Sequence, residues 1–368
     1  MSDLRHVYEG SGLTRVCVDG QHVITGGSDG VVALFLTKRW PTSSALWARK
    51  CHGDSAVTCA VLDDKLSLAI TAGRDGRVVL HERIHDAPES VSSRDLCRLK
   101  GEVRCLLYDA PRKRIFVGGN AFHCLHMREN KYEISTYPLP SEFAASPITA
   151  ASVSPCGQLI ALANTAGQIT LLSSTIPPTS SETLPSEEES AGPYAKVRTR
   201  IVERTFTSRS KTDDNTAYNL SLVQSVSGLF LFVPTSTNVS VYKVELKDGT
   251  TPHLRLATSL TTGTDGYHGA VAYSTSVKDM ACVVGTIHRT VSFKLSDGKR
   301  GLTSSIHRQR EHQSEETTAT ALSVCVATGD VAVGLNNGSI LLLPKFSKSA
   351  FRTKEEGHRG DGARTGEE

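Results

Sequence analysis

One pattern of three β-type runs recurs along the chain and limits its possible folds more than any other feature. The first copy has an apolar run at Leu13–Val18, a second run ending in a small polar turn at His22–Gly30, and an alternating third run at Val31–Leu36. The last turn residues of the copies are Gly30, Gly76, Phe122, Gly167, Thr237, Arg289 and Gly338. They are 46, 46, 45, 70, 52 and 49 residues apart. This spacing predicts seven related β-units, of which the third, fifth and sixth are less regular.

Seven such units can bury their apolar faces by packing against one another in a ring. Stacking covers both faces of each sheet, and closure removes exposed edges. We therefore predict an all-β chain, a seven-bladed β-propeller over residues 1–346, latched by pairing of Leu4–Tyr8 with the last blade. A β-sandwich is the alternative, but it does not need seven evenly spaced copies. The expected blades lie near 10–50, 51–97, 98–140, 141–175, 216–262, 263–313 and 314–346.

The 70-residue interval between the turn residues Gly167 and Thr237 contains a segment poor in apolar residues. Residues 174–215 are expected to form a low-complexity insert between blades four and five, with a mobile loop at 174–198. Residues 347–368 mix Lys, Arg, Glu and Gly and are expected to be a disordered tail. Both expectations rest on the same argument, since such segments bury too little apolar surface to offset the entropy lost on ordering.

The nine cysteines and the absence of long apolar runs indicate an intracellular protein. No Cys-x-x-Cys pair occurs and most cysteines lie in apolar β-type runs, so we expect buried free thiols rather than zinc ligands. We find no apolar signal stretch at Met1–His6 and no run of about 18 apolar residues, so a membrane partner is not expected. With 41 Lys+Arg against 38 Asp+Glu, any basic surface must be local.

Motifs of cofactor binding are not found in the sequence. Dinucleotide-binding glycine motifs and phosphate loops do not occur, and the Gly-x-Ser-x-Gly string at Gly26–Gly30 is interpreted as part of a turn between two strands. The sequence His123-Cys-Leu-His126 resembles a metal cluster, but His123 and Cys124 face opposite sides of a strand. Asp29 and Asp75 occupy equivalent turns and are interpreted as turn formers. We expect no catalytic residue, no metal, no cofactor and no small-molecule substrate.

The repeated units resemble WD40 repeats, chiefly through Gly26–Gly30 and the alternating run that follows it. More narrowly, His22–Gly30 and Leu229–Lys243 are similar to the N-terminal propeller of a replisome adaptor family, chromosome transmission fidelity protein four or acidic nucleoplasmic DNA-binding protein. The Trp-Asp pair that names the repeat is missing from every unit, and so is the Gly-His pair that opens typical blades. We therefore expect that the Asp-His-Ser-Trp hydrogen-bond tetrad cannot form. The Trp positions hold Phe35, His81, Met127, Leu172, Tyr242, Lys294 and Leu343.

The resemblance implies a non-enzymatic scaffold that docks partner proteins or their peptide segments, in DNA replication or chromatin. A general adaptor in ubiquitin ligation, trafficking or RNA processing is the alternative, and a propeller hydrolase is a remote one. The expected location is nuclear or cytoplasmic, with the nucleus favoured. Fold alone does not fix function, so these remain expectations.

Basic residues cluster in one part of the predicted insert. Six of them fall within 16 residues, with Tyr194 and Phe206 interleaved: Lys196, Arg198, Arg200, Arg204, Arg209 and Lys211. Such an arm could contact DNA phosphates or an acidic partner, or it could be a solvated loop that balances Glu187–Glu189. The basic triplet Arg112–Arg114 is interpreted as part of a solvated loop.

If the basic arm binds DNA, replacing its six basic residues with Ala should weaken binding and flatten the salt dependence of the affinity. Each lost phosphate contact lowers the number of counterions released, and the slope of log K against log salt falls by about 0.9 per contact. Titration of labelled duplex DNA at several salt concentrations measures both quantities. Equal affinity and equal slope in the two proteins would remove the idea.

Overall fold

Seven small antiparallel sheets make up the chain, as seen in a computed structural model. The structure describes residues 13–37, 45–128, 131–174, 200–204, 219–234, 238–249, 251–261, 267–299, 301–312 and 318–347. Within those ranges, six sheets have four strands and the last has three. Strands follow one another in chain order across each sheet, so each sheet is a meander. The predicted seven-bladed β-propeller is confirmed.

The strand bounds follow the predicted runs closely. Blade one contains Leu13–Asp19 (β1), His22–Gly27 (β2), Val31–Leu36 (β3) and Trp47–Lys50 (β4). Blade two contains Val57–Asp63 (β5), Leu68–Gly73 (β6), Arg77–Glu82 (β7) and Ser92–Arg98 (β8). Blade three contains Cys105–Asp109 (β9), Arg114–Gly118 (β10), Phe122–Arg128 (β11) and Lys131–Thr136 (β12). Blade four contains Ile148–Val153 (β13), Leu159–Asn164 (β14), Gln168–Ser173 (β15) and Arg200–Arg204 (β16).

The last three blades include the longest strands. Blade five contains Ser221–Ser225 (β17), Gly228–Pro234 (β18), Val239–Lys247 (β19) and Thr251–Leu260 (β20). Blade six contains Tyr267–Ser274 (β21), Asp279–Thr286 (β22), Arg289–Gly298 (β23) and Gly301–Glu311 (β24). Blade seven contains Ala319–Val324 (β25), Val331–Leu335 (β26) and Ile340–Leu343 (β27). A one-turn α-helix at Ser141–Ala144 and 3-10 turns at Pro88–Ser90 and Ala110–Arg112 lie in connections. No helix in the described ranges is long and apolar enough to cross a membrane.

The first strand of each blade lies innermost, and the fourth strand lies at the rim. We define the lower face of the ring as the end where the first strand of each blade turns into the second and the third turns into the fourth. The upper face carries the turns from second to third strands and the connections between blades. The turns at Gly30 and Gly76 on the upper face have φ of 80° and 75°, a backbone region that glycine enters without strain.

The ring closes through direct packing of blade seven on blade one. The Thr320 hydroxyl donates to the Leu13 carbonyl at 2.8 Å, and the Val18 N–H donates to the Ser323 hydroxyl at 3.1 Å. Phe35 and Ile340 are fully buried in the apolar cluster between these blades. The predicted latch at Leu4–Tyr8 lies outside the described residues.

Threonine hydroxyls on three first strands donate hydrogen bonds to carbonyls of the neighbouring blade. Thr14, Thr58 and Thr320 sit at irregularities of the strand register. Each acceptor carbonyl lies in the first strand of the next blade or just before it. Thr14 contacts the Val57 carbonyl at 2.5 Å, and Thr58 contacts the Val103 carbonyl just before β9. An extra residue in one strand re-aims its side chain in this way. The junctions therefore combine apolar packing with hydrogen bonds in register.

Blade two contains a variant of the excluded tetrad, in which Thr71 replaces the Ser and His81 replaces the Trp, so the expectation that no such network forms is wrong. Nδ1 of His52 lies 3.1 Å from Asp75, Nε2 of His52 lies 3.0 Å from the Thr71 hydroxyl, and that hydroxyl lies 2.9 Å from Nε2 of His81. His81 occupies the position of the Trp, and its Nε2 takes the place of the indole nitrogen. Its second nitrogen, Nδ1, lies 2.9 Å from the Ser93 hydroxyl. His52 follows Cys51 rather than Gly, so no Gly-His pair marks its position in the sequence.

Two further expectations about the chain between blades three and five are corrected. Arg200–Arg204, placed in the insert, pair with β15 and complete blade four, which therefore extends beyond residue 175. Arg114, placed in a solvated loop, is the first residue of β10 and is only 6% exposed. Its guanidinium lies 2.7 Å from an Asp109 carboxylate oxygen and also donates to the carbonyls of Gly157 and Ser174 in blade four. A buried charge needs this full set of partners. The predicted mobile loop at 174–198 and tail at 347–368 lie outside the described residues, apart from Ser174 and Ser347 at their edges.

Acidification should destabilise the protein through the blade-two tetrad. Burial, with His52 and Arg49 adding to it, lowers the pKa of His81 from 6.5 to about 3, and burial also lowers the pKa of His52. The unfolded chain binds more protons than the folded one below pH 6.5, so the unfolding free energy falls with pH through that window. His81 alone accounts for about 2 kcal/mol of the loss at pH 5.

Urea unfolding at pH 7.5 and at pH 5 measures this loss. Replacing His81 with Phe should lower stability at pH 7.5, because Thr71 and Ser93 lose a partner, and should make the fall towards pH 5 shallower. The exposed His253 offers the matched control, since His253→Ala should keep the wild-type dependence. The same pH dependence in His81→Phe as in wild type would contradict the assignment.

Candidate functional site

The first strands of the blades line the central channel of the ring. The channel contains a cavity of about 240 Å³. Apolar residues and cysteines dominate its wall, with Arg15 and Arg104 as the charged groups among the described lining residues. Arg15 donates to the Thr58 carbonyl, and Arg104 pairs with Glu102 at 3.0 Å. Burial raises the pKa of the Cys17 thiol to about 11 and raises that of Cys59. These thiols are therefore protonated near neutral pH, which makes them poor nucleophiles.

The lower face gathers apolar side chains that stand in water. Of the described large apolar residues, four with more than half of their surface exposed lie in turns between the first and second strands: Leu66, Val226, Val277 and Val326. The last three belong to consecutive blades five, six and seven. We call these three residues the valine arc. Val277 is 73% exposed, the highest value among the exposed large apolar residues of the described chain.

The turns that carry the valine arc are held firmly by polar contacts. The Val226 N–H donates to the Val277 carbonyl at 2.9 Å, which joins the turns of blades five and six. In the blade-six turn, the Ser276 hydroxyl accepts from the Asp279 N–H at 3.0 Å. In the blade-seven turn, the Gly329 N–H donates to the Cys325 carbonyl at 2.8 Å. The exposed valines are thus presented on a defined backbone, which lowers the entropy lost when a partner binds.

Lysines and aspartates surround the valine arc, and the lysines are the more exposed of the two. Exposed lysines lie at turns of the same face: Lys247, Lys278, Lys299 and Lys345. The neighbouring Asp279 instead bonds within the protein, to the Ser296 hydroxyl at 2.6 Å. Burial favours a higher pKa for Asp297, but hydrogen bonds, chiefly from Ser227, together have the larger effect and the pKa is lowered. The ionised carboxylate accepts the Ser227 N–H at 3.0 Å and is thus bonded within the protein. Asp248 is the exposed acid beside Lys247. Apart from Asp248, the most exposed charges on this apolar surface are therefore positive, while Asp279, Asp297 and Asp330 hold negative charge in less exposed positions of the same turns.

A second cluster lies on the lower face where blade one meets blade two. Nδ1 of His22 and Nε2 of His85 lie 2.5 and 2.8 Å from the same oxygen, Oδ1 of Asp64. The imidazole rings stack with their centroids 4.2 Å apart. Burial lowers the pKa of His22 against the opposing effect of Asp64. Burial favours a higher pKa for Asp64, but hydrogen bonds from the Gln21 N–H and His22 outweigh it and the pKa is lowered.

The basic residues chosen from the sequence are not brought into this surface by the described structure. Arg200 and Arg204 are the first and last residues of β16, the outer strand of blade four. Lys196, Arg198, Arg209 and Lys211 lie outside the described residues. The proposed DNA contact therefore stays a prediction.

Sequence reasoning missed both features of the lower face. The valine arc left a readable signal, namely a lone valine inside a short polar turn between two strands, as in Ser225–Ser227 and Ser276–Lys278. The histidine cluster left none, because His22, Asp64 and His85 come from three separate turns of the chain.

Comparisons with known proteins agree on the fold. No protein-family model and no curated protein matches the chain. Among solved structures, it is similar to the β-propeller domain of Cps50 (Swd1) from Myceliophteria thermophila, with 15% identity and a TM-score of 0.60 over 90% of this chain and 96% of that one. It is also similar to Raptor from Chaetomium thermophilum, with 14% identity and a TM-score of 0.63 over 92% of this chain but 28% of that one. These identities show the β-propeller fold alone.

Proposed function

We propose that the protein is a non-enzymatic scaffold whose lower face docks a partner protein. The valine arc carries this proposal. Scattered apolar residues are normal on a surface, but an exposed group on adjacent, hydrogen-bonded turns marks an interaction site. Rigid turns on a closed ring are a suitable base for such a site.

The partner segment that fits is acidic and bears apolar side chains. The valines offer apolar contact area, and the surrounding lysines are more exposed than Asp279, Asp297 and Asp330, whose carboxylates are held by hydrogen bonds within the protein. Opposite charge speeds encounter and selects among partners, while burial of the valines supplies affinity. Full burial of one valine side chain contributes about 1.5–3 kcal/mol.

The channel supports the non-enzymatic part of the proposal. A propeller hydrolase, the remote alternative, would use acid, base or nucleophilic groups converging on the channel. The described lining has no His, Asp or Glu, and its buried thiols are protonated. Its arginines are engaged with neighbouring groups.

For the cellular setting, we propose DNA replication or chromatin in the nucleus, on the strength of the resemblance of His22–Gly30 and Leu229–Lys243 to the replisome adaptor family. The basic arm from Lys196 to Lys211 would then add a DNA contact. A general adaptor outside replication is the competing setting. Co-purification of replicative helicase and polymerase subunits would favour the first, and components of ubiquitin ligation, trafficking or RNA processing would favour the second.

The docking proposal is tested by replacing Val277 with Asp in tagged protein expressed in cells. Because the carboxylate both removes apolar area and repels an acidic segment, partner recovery should fall at least about tenfold, equivalent to about 1.4 kcal/mol. Quantitative mass spectrometry of the captured proteins measures the change. Ile134→Asp is the matched control, since Ile134 is 44% exposed on the outer strand β12, away from the valine arc.

A zero-length carbodiimide cross-linker tests the partner's chemistry, because it joins a lysine only to a carboxylate in direct contact. We expect cross-links from Lys278 or Lys345 to an Asp- or Glu-rich segment of a captured protein, and their loss in Val277→Asp. Recovery that is equal in wild type, Val277→Asp and Ile134→Asp would exclude the lower face as the docking site. Recovery that depends on Val277 without lysine cross-links would exclude the acidic partner.

A further inference from the structure

The cluster at the junction of blades one and two has the donor atoms of a metal site. One ligand atom each from His22, Asp64 and His85 lies within 4.8 Å of the other two. The three side chains come from the first lower-face turn of blade one and from the two lower-face turns of blade two. Their convergence is a product of blade packing, since His22 and Asp64 are 42 residues apart in the chain.

Two imidazole nitrogens and a carboxylate oxygen suit a divalent transition metal. Zn²⁺ binds His nitrogen and Asp oxygen at about 2.0–2.2 Å, which places the ligand atoms of a four-coordinate site about 3.3 Å apart. The two imidazole nitrogens lie 2.5 and 2.8 Å from Oδ1 of Asp64, so each contact would need to open by less than about 1 Å to admit the ion. The stacked rings would also need to turn, so that the lone pairs in both ring planes point at the ion. Mg²⁺ prefers oxygen ligands in octahedral geometry and does not suit this set.

The surroundings hold the carboxylate in place. The other oxygen of Asp64, Oδ2, accepts the Gln21 N–H at 3.0 Å, and the Asp64 N–H donates to Asp19 at 2.9 Å. The backbone N–H of His85 donates to the Ser67 hydroxyl at 3.3 Å, which fixes the turn that carries His85. Such supporting bonds orient the ligands of metal sites.

The cluster is also open on one side. The His22 side chain is 11% exposed and that of Asp64 is 18%, whereas that of His85 is 32% exposed. An ion can therefore enter from the lower face, and a water or a partner's side chain can supply the remaining coordination.

We propose that His22, Asp64 and His85 bind a Zn²⁺-type divalent ion that fastens blade one to blade two. The alternative is a purely hydrogen-bonded trio in which both imidazoles donate to one carboxylate. The metal site and the hydrogen-bonded trio predict different effects of Asp64→Asn. An amide oxygen can still accept hydrogen bonds, but it is a much poorer zinc ligand than a carboxylate.

The experiment uses the full chain in a Cys156→Ser background, because Cys156 is an exposed thiol that could bind zinc by itself. After chelator treatment, Zn²⁺ affinity is measured by competition with a chromogenic chelator, and melting temperature is measured with and without Zn²⁺. We expect one equivalent of Zn²⁺ to bind and to raise the melting temperature, and Mg²⁺ to leave it unchanged.

His85→Ala should weaken Zn²⁺ binding at least about 100-fold, as should Asp64→Asn, because each removes a ligand. His85 lies in an exposed turn, so this variant tests the site with little risk to folding. His253→Ala, an exposed histidine on β20, is the matched control and should bind as the parent does. Absence of stoichiometric Zn²⁺ binding in the parent, or equal affinity in the parent and His85→Ala, would overturn the proposal.

Discussion

Every part of this molecule depends on the contact between neighbouring blades. A four-stranded meander has two faces and two edges, and its own residues cannot cover them. The apolar clusters therefore form between sheets, as where Phe35 and Ile340 meet across the junction that closes the ring. The threonine hydroxyls on the first strands add direction to this packing, because each reaches a carbonyl of the next blade. Packing sets how closely blades stack, and these bonds set their register.

The same packing creates surfaces that single blades do not have. Turns that are distant in the chain come together on the lower face because each blade presents its turns at the same height. Val226 and Val277 become neighbours through a backbone hydrogen bond between their turns. His22 and Asp64, from adjacent blades, meet through a hydrogen bond between their side chains. A rigid ring with variable turns can acquire a docking surface without changing its core, which is why fold similarity at 14–15% identity is compatible with different partners.

Polar groups at the junctions show how buried charge is managed. Arg114 is almost fully buried, yet its guanidinium meets the Asp109 carboxylate and carbonyls from blade four. The blade-two tetrad is a neutral counterpart, with His52, Thr71 and His81 bonded in series. The Arg114 network joins blade three to blade four, and the tetrad fixes His52, which precedes β5, against the rest of blade two. They also place stability under the control of ionisation, since His81 stays neutral when folded.

The sequence by itself determined the number of blades and most strand positions. These depend on local information, namely alternation of apolar residues and turns that require glycine, such as those at Gly30 and Gly76. The tertiary structure decided which residues meet: His81 as a tetrad member, Arg114 as a buried bridge, β16 as a strand of blade four, and the lower-face valines and histidines as groups. The physical reason is that alternation and turn chemistry act within a few residues, whereas contacts between turns of different blades exist only after the ring has fixed their relative positions.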